Sequence, residues 1–455
     1  MRKLYLHILQ LEGYEASRFL RWISKNLLTR TVEGKKPLVW TSKSSTIYYL
    51  SIFLTILLPL SLYLLQPIYV LPVLFVLVFV PWTSLLLALA CLKPYEIYNR
   101  QVVINKTREK IQRLNSLQVI GITGSYGKTS VKEILYQILR QKYRVLRTPS
   151  SYNTVFGIAK VVDLELDRNY DFFICEMGAY KKGDIAELCR MVLPKHGILT
   201  GIAEQHLERF GSLQNIIQGK FELIESLPTT GHALLNGDNP HVVENVWRAK
   251  SVYKLYGVDS EKAEFKAENI KYSKEGTEFT VRMGKDSFNV KTKLLGKGSI
   301  QNILGAAGLA RELGLSVDEL REAINNLETT PNRLELIYRD DLTILNDSYS
   351  SNPAGFKEAV SVVRQMGIKR RVLITPGIVE LGSRTKEVHE ELGIDLDGVF
   401  EVALLVGDSE RTRALAKPLK KTRSEFVKST KEALERVKSF KDAVVLIEND
   451  LPDNY

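Results

Sequence analysis

The stretch Thr123-Gly124-Ser125-Tyr126-Gly127-Lys128-Thr129-Ser130 follows an apolar run at residues 119–122 and precedes a segment with helical spacing. The order of strand, glycine-rich turn and helix is typical of a phosphate-binding loop. Glycines let the backbone approach an anion, and N–H groups at the helix start point at it. In such a loop the lysine reaches the outer phosphates and the threonine hydroxyl holds Mg²⁺. The sequence therefore predicts a site for ATP and Mg²⁺.

The spacing of this loop departs from the usual Walker pattern. That pattern has four residues between its two glycines, and Ile122 stands where the first glycine would be. We interpret the loop as a shorter variant, with a glycine turn that binds nothing as the alternative.

The charge of the chain is distributed unevenly. The net charge is +11, of which residues 1–43 carry +6 and residues 93–113 carry +4, whereas residues 44–92 contain no charged side chain. The rest of the chain is close to neutral, so the excess charge does not favour a nucleic-acid-binding protein. The uncharged run exceeds twice the roughly 20 residues that a helix needs to span a bilayer.

Two transmembrane helices are expected in this run, at residues 47–65 and 68–92, with a buried core hairpin as the alternative. Basic flanks on both sides place both ends in the cytoplasm by the positive-inside rule. The expected localisation is therefore the cell (inner) membrane, multi-pass, with the catalytic domains on the cytoplasmic side. Residues 1–43 fit either a basic amphipathic helix on anionic lipid or a plain helix packed on the soluble domain.

From Gln118 onward, apolar strand-like runs alternate with helical patterns, which is typical of an α/β fold. Short alternating segments at 251–295 indicate antiparallel strands. We expect a central domain with a phosphate-binding loop and a parallel sheet, then a Rossmann-like C-terminal domain, preceded by the two-helix transmembrane hairpin. The expected division is 1–43, 44–92, 93–117 (a juxtamembrane linker), 118–330 and 331–455.

Two polar residues follow strand-like runs, where α/β sheets place their ligands. Glu176 ends the run at 170–175, and its carboxylate suits a Mg²⁺ ligand or a residue that positions water. His206 follows the run at 197–202, and a lone histidine is more often structural than a ligand.

Eight segments of the chain together resemble the Mur ligases, and among these the branch that adds D-alanyl-D-alanine. In order they are T-G-S-Y-G-K-T-S, I-C-E-M-G-A, H-L-E-R-F-G-S, Q-G-K-F-E-L, L-N-G-D-N-P, Q-N-I-L-G-A-A, T-P-N-R-L-E and N-D-S-Y-S-S-N-P-A-G-F. The resemblance runs from about Gln118 to the C-terminus.

This resemblance implies an ATP-dependent amide-bond ligase that forms an acyl phosphate and ADP before an amine displaces phosphate. It implies that Lys128 and Thr129 hold the phosphates and a first Mg²⁺, and that Glu176 is a further metal ligand. His206 matches a histidine that helps to bind a second Mg²⁺, and Lys220 matches a lysine that is often carbamylated and then holds metal. The implied catalytic residues are Lys128, Glu176, His206 and Lys220.

The resemblance also implies a set of residues that bind the nucleotide. Asn302 matches a residue at the adenine end of ATP, although the family often has His-Asn where this chain has Gln301-Asn302. Arg333 and Asp347 match residues that grip phosphate and ribose after the C-terminal domain closes, with Tyr349 and Asn352 nearby. The full implied set is Gly124, Ser125, Tyr126, Gly127, Lys128, Thr129, Ser130, Asn302, Arg333, Asp347 and Asn352.

The implied partners are a cell-wall precursor, an amino acid or dipeptide, and membrane lipid, with no nucleic acid. The family usually has an N-terminal domain for the UDP-sugar before the loop, where this chain is expected to have the hairpin. The nucleotide-sugar pocket is therefore expected to be missing or rebuilt, and the acid and the amine stay open. The alternatives are a ligase of the same superfamily with another acid and amine, a membrane-bound phosphate-loop NTPase, and an inactive nucleotide-binding scaffold. The oligomeric state is not indicated by the sequence.

Overall fold

A computed structural model describes residues 1–26, 38–149, 152–204, 207–273, 275–329, 332–339, 341–348, 352–379, 381 and 384–448. Contacts divide the chain into two compact units, one ending at Val102 and one beginning at Val103. The first unit is helical, and the second contains two β-sheets.

The first unit is built from helices α1 to α5, the last of which continues into the second unit: α1 Arg2–Leu11, α2 Ala16–Lys25, α3 Ser42–Leu65, α4 Val70–Phe79 and α5 Pro81–Gln112. Leu6 of α1 and Phe19 of α2 are fully buried in one apolar cluster with Ile47 of α3 and Leu85 of α5. Helices α1 and α2 therefore pack on other helices of the first unit.

The prediction of a multi-pass membrane protein is wrong. Among the described residues, only α3 is a single helix long and apolar enough to cross a membrane. The second expected span, 68–92, is broken between Val78 and Pro81, and the helical segments on either side are bent by 96°. Proline lacks the N–H that would continue α4 and has the φ angle of a first helical residue, so Pro81 begins a new helix instead. The residues expected to form a linker continue that helix to Gln112.

The second unit begins with a sheet in the order β2-β3-β1-β4-β5-β6-β7-β8-β9. Its strands and helices, in chain order, are β1 Gln118–Thr123, α6 Lys128–Leu139, β2 Val145–Arg147, α7 Val155–Glu165, β3 Phe172–Glu176, α8 Asp184–Val192, β4 His196–Leu199, α9 Leu207–Phe210, α10 Leu213–Ser226, β5 His232–Asn236, α11 Pro240–Val243, β6 Val252–Gly257, β7 Phe265–Ser273, β8 Gly276–Met283, β9 Asp286–Thr292, α12 Lys297–Glu312 and α13 Val317–Asn325.

The pairing within this sheet changes along its width. All pairs from β2 to β7 are parallel, and β7–β8 and β8–β9 are antiparallel. The antiparallel strands predicted at 251–295 are therefore confirmed for β7 to β9, whereas β6 is parallel to both of its neighbours. β1 lies between β3 and β4 and is buried on both faces, so its residues are almost all apolar. Because Ile122 pairs with Glu176, the loop after β1 and the carboxylate at the end of β3 meet at one edge of the sheet.

The second sheet has the order β10-β11-β15-β12-β13-β14, with β10 antiparallel to β11 and the other pairs parallel. Its elements are β10 Glu335–Arg339, β11 Leu342–Asp347, α14 Pro353–Gln365, β12 Arg370–Thr375, α15 Thr385–Leu396, β13 Val402–Val406, α16 Glu410–Ala416, β14 Arg423–Val427, α17 Thr430–Val437 and β15 Ala443–Glu448. The expected α/β architecture with a central parallel sheet and a second C-terminal sheet is confirmed.

Candidate active site

The loop between β1 and α6 has the backbone of an anion cradle. Gly127 has φ 76°, in the left-handed region that favours glycine, and it precedes the first residue of α6. A Cβ added there would lie 2.7 Å from Oδ1 of Asn302, so the loop and Asn302 are close neighbours. At Gly124 a Cβ would overlap the Thr200 hydroxyl. The loop is also fixed by Ser125, whose backbone N–H donates to the Gly201 carbonyl at 2.8 Å.

Lys128 begins α6 and turns its side chain back over the loop. Its Nζ donates to the Gly124 carbonyl at 2.8 Å. Burial lowers the pKa of Lys128; the Glu176 charge acts in the opposite direction, and the Arg333 charge lowers the pKa further. The charges of Glu176 and of Arg333, which comes from the C-terminal sheet region, therefore both act on Lys128.

Glu176 is buried at the end of β3, and several polar side chains contact its carboxylate. The Thr129 hydroxyl donates to Glu176 Oε2 at 3.0 Å, and Asn153 Nδ2 donates to Glu176 Oε1 at 3.3 Å. The Lys132 ammonium, fully buried, lies 3.3 Å from Glu176 Oε2. The sequence reasoning missed Lys132, although its place four residues after Lys128 on α6 puts both ammonium groups on one helical face.

Lys220 lies in the middle of α10 and is 4% exposed. Burial lowers its pKa to about 7, and the Lys128 charge adds to this effect, while Asp184, Glu222 and Glu176 oppose it. Its Nζ lies 5.9 Å from the centre of the Phe210 ring. The structure thus brings together three of the four expected catalytic residues, Lys128, Glu176 and Lys220. His206 lies outside the described residues.

The donor atoms near the loop suit Mg²⁺. The Thr129 hydroxyl and the Glu176 carboxylate are already within hydrogen-bond distance, and both are the hard oxygen ligands that Mg²⁺ prefers. Among the described residues no cluster of three or more histidine, cysteine or acidic side chains forms a metal site. A Mg²⁺ ion there would therefore take its remaining ligands from phosphate and water, as is usual for this ion.

A second set of polar residues lies at and near Tyr126 of the loop. The Tyr126 hydroxyl accepts from Asn239 Nδ2 at 3.1 Å, and burial raises the pKa of Tyr126. Gln301, beside Asn302 on α12, donates from Nε2 to Asp238 Oδ2 at 2.5 Å. Asp238 and Asn239 belong to the segment L-N-G-D-N-P, and the sequence reasoning assigned neither a role. Ser130 lies in the first turn of α6.

Arg333 lies in a strained segment just before β10. Its neighbours Asn332 and Leu334 have φ angles of 61° and 47°, which are unusual for residues with a side chain. The Leu334 N–H donates to Asp347 Oδ1 at 3.1 Å, so the end of β11 holds this segment. Asn352 accepts from the Gly355 N–H at 2.9 Å and caps α14. Tyr349 lies outside the described residues.

A hydrogen bond between α12 and α14 also joins the two sheet regions. Glu358 of α14 accepts a hydrogen bond from the Gly298 N–H at the start of α12. Burial raises the pKa of Glu358 to about 7, the Gly298 hydrogen bond lowers it and the Asp347 charge raises it. The sequence reasoning did not single out Glu358, because no local motif surrounds it.

Comparison with known proteins agrees with this arrangement. Residues 122–310 match the Mur ligase middle domain, and residues 332–448 match the Mur ligase glutamate ligase domain. The UDP-N-acetylmuramoyl-tripeptide--D-alanyl-D-alanine ligase of Escherichia coli is 32% identical over 316 residues, which cover 67% of this chain and 69% of that protein. The enzyme of the same name from Bacillus subtilis is 31% identical over 61% of this chain.

Solved structures give the same result. The MurF ligase from Thermotoga maritima in complex with ADP has a TM-score of 0.69 at 27% identity, over 77% of this chain and 80% of that one. A MurF from Acinetobacter baumannii, at 24% identity and a TM-score of 0.70, shares the fold. The match spans 59% of the length of the Bacillus subtilis protein. By these matches to its middle and C-terminal regions, the chain belongs to the Mur ligase family.

Proposed function

We propose that this protein is an ATP-dependent, ADP-forming amide-bond ligase that adds D-alanyl-D-alanine to a peptidoglycan precursor. The observation that carries the proposal is the cluster of Lys128, Glu176 and Lys220 at the phosphate-binding loop, in which Glu176 and Lys220 are buried. The printed names of the relatives support the choice of amine. The structure of a relative with ADP supports the choice of nucleotide.

The proposed reaction has two steps. A carboxylate oxygen of the acid attacks the γ-phosphorus of ATP, and the bond to the bridging oxygen breaks to release ADP and an acyl phosphate. The amine then attacks the acyl carbon, loses a proton, and expels inorganic phosphate through a tetrahedral intermediate. The main electrostatic requirement is stabilisation of the charge on the transferring phosphoryl group. Lys128, whose Nζ lies over the loop, and the loop N–H groups are proposed to provide it.

Thr129 and Glu176 are proposed to hold Mg²⁺, which when bound neutralises charge on the phosphate oxygens. His206 and a carbamylated Lys220 are proposed as ligands of a second Mg²⁺. Carbamylation requires a neutral amine, and a pKa of about 7 leaves Lys220 largely able to react near neutral pH. The modified side chain is an anion, which suits its place beside Lys128.

Nucleotide binding is proposed to use the loop residues 124–130 and one residue from α12, Asn302. The contact between Asn302 and Gly127 supports this assignment. From the C-terminal side, Arg333 and Asp347 are proposed to hold phosphate and ribose, and the influence of Arg333 on Lys128 supports a place near the phosphates. Asn352 is proposed as a nearby contact, since its backbone begins α14 just after β11.

The acid is proposed as a peptide carboxylate of a cell-wall precursor. Both family matches begin at or after Ile122, so the preceding segment adds no support for a particular carrier of that peptide.

The proposal is tested by measuring phosphate release and product mass with ATP, Mg²⁺ and pairs of acid and amine. Release should require both the precursor tripeptide and D-alanyl-D-alanine, and should yield the pentapeptide and ADP. Lys128→Ala should abolish release, whereas Lys285→Ala, at an exposed position between β8 and β9, should leave it unchanged. Release without any amine would favour an NTPase, and release with another pair would favour a related ligase.

A further inference from the structure

The carboxyl end of the second sheet carries two buried acids side by side. Asp347 and Glu448 are the last residues of β11 and β15, and they are paired in register on these adjacent parallel strands. Asp347 is 5% exposed and Glu448 is fully buried. Neither carboxylate oxygen of Glu448 has a hydrogen-bond donor within the described part of the chain.

Two adjacent buried carboxylates are costly if both are ionised, because neither accepts hydrogen bonds from water and each repels the other. Burial raises the pKa of Glu448 well above its usual range, and the nearby charge of Asp347 raises it further. Two ionised carboxylates cannot hydrogen bond, since both only accept, whereas a protonated carboxyl has an O–H to donate. A proton on Glu448 therefore gives its side chain a bond that the ionised form cannot make.

Asp347 in turn holds the strained segment before β10. Its Oδ1 accepts the N–H of Leu334, whose φ of 47° is kept only by such surrounding contacts. Arg333 is the residue between the two strained positions, and its charge lowers the pKa of Lys128. Strand pairing and a hydrogen bond thus link Glu448 through Asp347 to Leu334, the neighbour of Arg333, whose charge acts on Lys128 of the phosphate-binding loop.

We infer that Glu448 is a positioning residue: as a neutral carboxylic acid it donates its O–H to Asp347, and it thereby orients Asp347 and Arg333 for the nucleotide. The inference rests on the proposed function only in taking ATP as the ligand. Glu448 acts through Asp347 and does not itself contact ATP.

The test compares Glu448→Gln, which keeps a donor of the same shape, with Glu448→Leu, which removes it. Binding of a non-hydrolysable ATP analogue is measured by calorimetry without acid or amine, so a failed ligase assay does not affect the result. Glu448→Gln should bind within about twofold of the unchanged protein. Glu448→Leu should bind about ten- to a hundredfold more weakly, as expected for loss of a hydrogen bond to a charged group.

The outcomes separate the possible roles. If both variants bind the ATP analogue equally weakly, the inference is overturned in favour of an ionised Glu448 that holds a cation. If both bind it as well as the unchanged protein does, the inference is overturned in favour of a packing role for Glu448. If the leucine variant does not fold, a difference infrared spectrum between the unchanged protein and Glu448→Gln decides. The inference predicts loss of a protonated carboxyl band at neutral pH, and loss of carboxylate bands alone would refute it.

Discussion

Lys220 gives the most specific prediction, because its environment sets its chemical reactivity. At pH 7 a lysine with a pKa of 10.5 is neutral in about 0.03% of molecules, whereas one with a pKa of about 7 is neutral in about half. The neutral amine is the form that attacks CO₂. The structure therefore predicts that Lys220 is carbamylated roughly a thousandfold faster at this pH than an ordinary exposed lysine of equal intrinsic nucleophilicity.

The assay removes CO₂ from the protein at mildly acidic pH and then follows recovery of activity after dissolved CO₂ is restored at a fixed concentration. The recovery rate should rise about tenfold per pH unit below pH 7 and level off above it, because the neutral fraction follows the Lys220 pKa. A carbamate signal from ¹³C-labelled CO₂ should appear with the same rate. Lys220→Ala should lack both the signal and the activity, and acetate should restore part of the activity.

The matched control is Lys285→Ala, which changes an exposed lysine and should keep the signal and the recovery. A recovery rate that continues to rise up to pH 10 would contradict the reasoning, since it would mean that the reacting lysine has an ordinary pKa. Full activity of Lys220→Ala without acetate would also refute the role.

Three further substitutions test the rest of the site. Gly127→Ala should lower the free energy of unfolding by about 1–2 kcal/mol and weaken ATP binding, because its φ is 76° and the new Cβ would crowd Asn302. Glu176→Gln should raise the Mg²⁺ concentration needed for half-maximal activity about ten- to a hundredfold, as measured by Mg²⁺ titration of turnover. Glu358→Gln should gain stability relative to the unchanged protein as pH rises from 5 to 8, by on the order of 2 kcal/mol in urea unfolding. The pKa of Glu358 is about 7 in the folded protein and 4.5 in the unfolded chain, so folding favours the protonated side chain. The stability from this protonated form is fully present below pH 4.5 and is lost as the pH rises through about 7. The glutamine does not titrate and keeps an acceptor for the Gly298 N–H.

Each of these has a clear contrary result. For the loop, Gly183→Ala is the control, since its φ is also left-handed but a Cβ there meets no neighbouring atom within 4 Å. Equal effects of the two alanines on ATP binding would refute the crowding argument at the loop. An unchanged Mg²⁺ titration would exclude Glu176 as a ligand, and a stability difference independent of pH would mean that Glu358 titrates normally.

The phosphate-binding loop could be predicted because its signal is local. The run of strand, glycines, lysine and helix occupies about twenty consecutive residues, and β1, the loop and α6 follow it. Glu176 could also be placed, because parallel strands end at a common edge and Ile122 pairs with it. The contacts around Glu358 and Glu448 could not be predicted, since their partners lie 60 and 101 positions away in the chain.

The membrane prediction failed for a different reason. An uncharged run shows that a segment is apolar, but it does not show whether the segment forms continuous helices of membrane length. In the first unit, Ile47 and Leu85 from the uncharged run are buried against Leu6 and Phe19. The break before Pro81 then removes the second continuous span. A count of apolar residues shows neither which of them pack on other helices nor where a helix is interrupted.

The most direct test of the central claim uses an acid substrate labelled with ¹⁸O in its reacting carboxylate. If an acyl phosphate forms at the loop that contains Lys128, the oxygen that joins its carbonyl carbon to phosphorus comes from the labelled carboxylate. This oxygen leaves with the phosphate when the amine attacks. The account predicts that the inorganic phosphate released with D-alanyl-D-alanine contains one ¹⁸O atom per turnover, and that Lys128→Ala releases none. Phosphate released by the active protein without label would contradict the account, because its oxygen would then have come from water.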